Sequence, residues 1–164
     1  MFYPNEDFFF ANRAIGRWDV PVLEFHEPEC YNLHVPITGY IVNSITERRD
    51  KLQSWKAHIA AEVMDARGKY AWNNRHIFAI TLGFSFNTSS GWHGYRALDV
   101  ENFIKPVIDA LAAGLFCDEH TDPYTITRWD FDDSNFNTLL IHRLPDARTP
   151  QEEGIAVCVS AKVW

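Results

Sequence analysis

The clearest hydrophobic pattern lies in the middle of the chain: Phe78, Ile80, Leu82, Phe84 and Phe86 alternate with the small or polar Ala79, Thr81, Gly83 and Ser85. A period of two predicts a β-strand. The same alternation marks Leu33, Val35 and Ile37, where Pro36 suits an edge or an end. It returns in residues 155–163, with Ile155, Val157, Val159, Ala161 and Val163 in register. Two further stretches, 125–131 and 137–144, read as strands across the turn Asp132-Asp133-Ser134-Asn135. Helical spacing governs Leu52, Trp55, Ile59 and Val63. Ser44-Ile45-Thr46-Glu47 has the form of a capping box opening that helix, and Gly68 is placed to end it. A second helix is predicted near residues 100–115, with Gly114 as its stop.

The resulting order is β-α-β-α-β-β(-β), a β-α-β-α-β-β series with the last strand added, in an α+β domain with a mixed sheet and two main helices packed on it. Residues 1–30 are rich in aromatics (Phe2, Tyr3, Phe8, Phe9, Phe10, Trp18, Phe25) without a clean period. They are expected to lie as an extension over the domain formed by 31–164.

The second helix carries the candidate chemistry. At about 100° per residue, Glu101, Lys105 and Asp109 fall on one face, while Phe103, Ile104, Val107, Ile108 and Leu111 fall opposite. Asp99 precedes the first turn, where a short acceptor also caps a helix. Pro106 implies a locally irregular start. Beyond Gly114 come Asp118 and Glu119, and a chain leaving the helix there is expected to fold back towards its polar side. Carboxylates gathered in one place repel unless a cation joins them. Hard oxygen donors suit Mg²⁺ or Mn²⁺. The bland alternative is a solvated face with ordinary four-residue ion pairs.

The run Asp99-x-Glu101-Asn102-x-x-Lys105-x-x-x-Asp109-Ala110-Leu111, followed by Asp118-Glu119, resembles the RusA-type Holliday-junction resolvases. Glu101 and Glu119 stand where the family pattern has aspartates. The resemblance implies a homodimer that resolves four-way DNA junctions in recombination and repair. It would do so by paired Mg²⁺-dependent nicks leaving 5′-phosphate and 3′-hydroxyl ends. Asp99, Glu101, Asp118 and Glu119 would be the metal ligands, with Asp122 a competitor in the second cluster. Lys105 would face the scissile phosphate, and Asn102 and Asp109 would support the site. DNA contact would fall to Arg48, Arg49, Lys51, Lys56 and Arg96, with Arg67, Lys69 and Arg75 nearby.

Net charge and composition bear on this reading. A formal charge of −7 runs against the basic footprint usual in nucleic-acid binders. It favours the rival reading, a catalytically silent, acidic binding module with the same architecture. No stretch is apolar for the roughly 18 residues of a membrane span. The acidic residues near the start are unlike a signal peptide, and Cys30, Cys117 and Cys158 form no CxxC pair, so reduced thiols in the cytoplasm are expected. The histidines show no HxxxH spacing and no pairing with cysteine in sequence, so a zinc site is not expected; His120 alone lies near the second acid cluster. A Gly-rich phosphate loop is absent. The Asp130–Asn135 acidic stretch lacks the glycine and distal glutamate of a Ca²⁺ loop.

Overall fold

The computed structural model describes residues 8–26, 30–45, 47–69, 72, 75–87 and 101–163. It is an α+β structure in three layers. Strands β1 (Phe8–Ile15) and β2 (Trp18–Phe25) form an antiparallel hairpin. Then follow β3 (Tyr31–Thr38), α1 (Arg49–Arg67), β4 (His76–Ser85), α2 (Glu101–Phe116), β5 (Phe136–Arg143) and β6 (Gly154–Val163). The four later strands make one mixed sheet in the order β3-β6-β4-β5. Only β4 and β5 run parallel, as expected where a helix crosses between them.

Both helices cover one face of this sheet. Val35, Ile37, Ile80, Leu82, Val157 and Val159 meet Ile59, Val63, Val107 and Leu111 in the main core. The hairpin covers the other face, where Val20 and Val22 pack on Ala156 and Cys158, and Leu23 and Phe25 on Ile77 and Ala79. This is why β4 is buried along its entire length although only every second residue is large. The small residues between make room for the hairpin, and their hydroxyls serve its backbone. The Leu23 N–H donates to Thr81 Oγ1, and the Phe25 N–H to Ser160 Oγ, each at 3.1 Å. The described part of the aromatic segment, Phe8–Phe25, is therefore a second cover on the sheet.

Three local expectations are corrected. The helix α1 begins at Arg49, not at Ser44, and its N-cap residue Arg48 makes no side-chain cap. Asn43 organises the preceding turn instead, accepting the Ile45 N–H on its Oδ1 at 2.8 Å. Residues 125–131 are not a strand: a short 3₁₀ turn at Pro123–Thr125 leads into irregular chain. There Trp129 donates its indole N–H to Gln53 on α1, so tertiary contacts override the alternating pattern. Gly68, at φ +61°, does end α1 as expected. Gly114, in contrast, does not end α2.

The helix runs on through Gly114 to Phe116. A Cβ at Gly114 would sit 2.8 Å from Val63 Cβ and 3.0 Å from the Ala60 carbonyl oxygen. The glycine is a gap that lets two helices touch. Pro106 lies inside the same helix and cannot donate to the Asn102 carbonyl. That acceptor is taken by the Ser44 N–H at 3.0 Å, so the helix keeps its path and the loop before α1 is tied to it. At the other end, buried Arg67 donates from its two terminal nitrogens to the Leu115 and Cys117 carbonyls, each at 2.7 Å. These are the orphan acceptors of a helix C-terminus.

Gly114→Ala gives a sign test of this contact. On a free helix alanine would stabilise by about 1 kcal/mol. Here the added methyl must displace Val63 or the α1 backbone, so the variant is expected to lose about 1–3 kcal/mol in urea unfolding. A gain in stability would mean that the helices do not approach this closely.

Candidate functional site

Lys56 meets Asp109, Ala60 and Val63 meet Gly114, and Arg67 meets Leu115 and Cys117. The helices α1 and α2 therefore run parallel, and their N-termini share one end of the molecule. Glu101 is exposed in the first turn of α2. Lys105, one turn on, is 78% exposed and reaches back to Asp109 Oδ1 at 3.3 Å. Arg48, Arg49 and Lys51 are exposed at the start of α1. Arg48 pairs with Asp50 at 3.0 Å; Lys51 lies 3.7 Å from Glu47 and over the Tyr40 ring. Such exposed pairs are weak, and a polyanion can replace the carboxylate partner.

Lys56 behaves differently. Its side chain is 11% exposed, with the ammonium 3.6 Å from Asp109 Oδ2 and over the Trp129 ring. Asp109 thus sits between two lysines and holds α1 to α2. Lys56 is an interhelical tie and is corrected from a surface DNA contact. Arg67, occupied at the end of α2, is corrected in the same way. At the shared end, Glu153 is buried, its two carboxylate oxygens accepting the Ile41 and Asn87 N–H groups at 2.9 and 2.8 Å. That acid fastens loops and faces no solvent.

The second acid cluster lies at the opposite end. The fifteen helical steps from Glu101 to Phe116 span about 22 Å, and Asp118 and Glu119 follow beyond. Asp118 Oδ1 accepts the His120 N–H at 2.8 Å, and Asp122 Oδ1 accepts the Tyr124 N–H at 3.0 Å. Both acids shape turns. Glu119 lies 3.5 Å from His120 and lines a hollow with Met64, Asp65, Gly68 and Pro123, at the C-terminal end of α1. The expected fold-back does not occur: beyond Phe116 the chain turns locally at Asp118 and Asp122, beside the C-terminal end of α1. One ion cannot touch both Glu101 and Glu119 of the same chain. Asp99 and Arg96 lie outside the described residues. The acidic turn before β5 is a capping device: Asp132 accepts the Ser134 N–H at 2.9 Å, and bonds from Ser134 hold its carboxyl below the usual value.

Among the described residues, one group places three different metal-binding side chains together. Glu24, His34 and Cys158 bring ligand atoms within 4.8 Å of one another, on the seam between β2 and the sheet. His34 and Cys158 are cross-strand partners of β3 and β6. Sequence spacing hid them, since strand pairing joins residues far apart along the chain. The one available signal was that His34 and Cys158 interrupt the smaller-residue faces of two alternating strands.

No protein-family model matches the chain, and no curated protein matches it significantly.

Burial pushes the Cys158 thiol up from an ordinary 9.0 to about 12, with the Glu24 charge adding to the shift and Arg13 opposing it. The native state thus holds this proton more tightly than the unfolded chain. Its contribution is intact below pH about 9 and is lost as the pH rises from there towards 12. With a chelator present, raising the pH from 8 to 10 should cost the wild type about 1.4 kcal/mol more than Cys158→Ala. Equal losses in parallel urea titrations would refute the assignment.

Proposed function

We propose that this chain is a RusA-like, Mg²⁺-dependent endonuclease acting on four-way or related branched DNA as a two-fold homodimer. The observation that carries the reading is Lys105. It is an exposed cation one turn from Glu101, at the end of the helix pair where Arg48, Arg49 and Lys51 also stand. The order β-α-β-α-β-β from β3 onward is compatible with the resemblance read in residues 99–119.

The helix length adds a condition. Two acid clusters about 22 Å apart in one chain can share an ion only if the second comes from another copy. A two-fold axis that sets two α2 helices antiparallel would do this, since such an axis opposes the start of one helix to the end of its mate. Asp99 and Glu101 of one copy, with Glu119 of the other, would then hold Mg²⁺. Glu101 fits that role: it is exposed and supplies hard oxygen donors. Bound there, the ion would supply Lewis-acid charge and a more acidic water.

The chain's own residues provide the rest. Lys105 offers a point charge to the non-bridging oxygens of the phosphate, where negative charge grows during attack. Arg48, Arg49 and Lys51 can exchange their weak surface partners for neighbouring phosphates, giving a shallow dependence on salt. The positive ends of both helix dipoles point the same way.

The silent binding module remains the second reading. It is favoured by the net charge of −7 and by the engagement of Lys56 and Arg67 inside the fold.

Subunit mixing tests the proposal. Glu101→Gln and Glu119→Gln should each abolish Mn²⁺-supported cleavage of a synthetic four-way junction. Mixing the two variants should restore single nicks, because each mixed dimer regains one complete centre. If Glu119→Gln alone remains fully active, the second cluster plays no part. No cleavage by the wild type on a panel of branched substrates would favour the silent module.

A further inference from the structure

Glu24 is fully buried at the end of β2, facing the sheet. Its Oε1 accepts from Arg13 Nε at 2.7 Å. Its Oε2 has no hydrogen-bond donor among the described residues. His34 Nε2 lies 3.4 Å from it. A buried carboxylate oxygen left without a donor is costly, and it faces a thiol and an imidazole.

We propose that Glu24, His34 and Cys158 form a three-ligand site for a borderline-soft divalent cation of the zinc class, separate from the nuclease centre. The donor set discriminates between metals. One thiolate, one imidazole and one carboxylate oxygen suit zinc, and a thiolate is a poor ligand for Mg²⁺. Tetrahedral zinc with bonds of about 2.0–2.3 Å places its ligand atoms roughly 3.3–3.7 Å apart. The His34–Glu24 pair, at 3.4 Å, already matches this spacing, and the overall spread within 4.8 Å needs a contraction of about an ångström.

Cys158 and Glu24 are fixed by burial, while β3 is an edge strand, so solvent and metal reach the site from the His34 side. Binding exchanges the Cys158 S–H bond for an S–metal bond and releases the proton to solvent. Glu24 binds through Oε2 alone, leaving Oε1 to Arg13. A water completes the fourth position. The consequence is structural: β2, β3 and β6 are joined through one ion, fastening the hairpin to the sheet.

The test uses the full chain, titrated with Zn²⁺ against a chromophoric chelator and separately with Co²⁺ read by absorbance. One tight equivalent should bind, and Co²⁺ in that site should give tetrahedral visible bands with a thiolate charge-transfer band. His34→Ala should weaken binding by at least about 100-fold, the upper end of what losing even a supporting partner costs a metal site, with its near-UV circular dichroism unchanged. Cys158→Ala should lose the charge-transfer band. An octahedral Co²⁺ spectrum without a thiolate band in the wild type overturns the proposal without recourse to any variant. So does tight zinc binding that survives both His34→Ala and Cys158→Ala.

Discussion

The parallel alignment of α1 and α2 is the constraint on which the rest of the molecule turns. It is held at three levels along the helices. The Ser44 N–H replaces the donor missing at Pro106, Lys56 and Asp109 pair in the middle, and Arg67 closes the carbonyls at the end. Gly114 permits the contact by carrying no side chain. A helix pair fastened this way cannot bend back on itself. It gives the chain two chemically distinct ends, one with Glu101, Lys105 and exposed arginines, the other with Asp118 and Glu119.

The sheet shows a related economy. Its helix-facing side is filled by large aliphatic and aromatic residues and its hairpin-facing side by alanines, Thr81, Ser160 and Cys158. Small residues there are complemented by the large ones of β2, and hydroxyls by backbone N–H groups. A fully buried glutamate in that layer is costly unless it is compensated. Arg13 compensates one of its oxygens and leaves the other directed at His34 and Cys158.

Much of this was legible in the sequence, for identifiable reasons. Alternation around Ile80 and Val157 and helical spacing around Ile59 and Val107 reflect one-sided burial, which period alone reports. The hairpin escaped because Phe8, Phe9 and Phe10 are consecutive and the alternation of buried Trp18, Val20 and Val22 with exposed Asp19 and Pro21 ends at the wholly buried Val22–Phe25, leaving only a short period to read. Residues 125–131 misled because Trp129 packs on Lys56 and Gln53 of α1. At the candidate site, Glu101, Lys105 and Asp109 lie in file as expected, but Gly114 was read as a stop when it is a packing gap. The larger difference is the missing fold-back, since beyond Phe116 local turns keep Asp118 and Glu119 at the far end of the helix. Composite sites joined by strand pairing, such as Glu24, His34 and Cys158, leave no spacing to find.

The most direct test of the central claim, that one chain keeps its two acid clusters apart, is the anomalous scattering of Mn²⁺ in crystals of the intact protein. The expected peak lies against Glu101 at the shared N-terminal end of the helices, with any carboxylate of the second cluster contributed by another copy. A manganese ion bridging Glu101 and Glu119 of the same polypeptide would contradict the helix arrangement and the dimeric centre built on it.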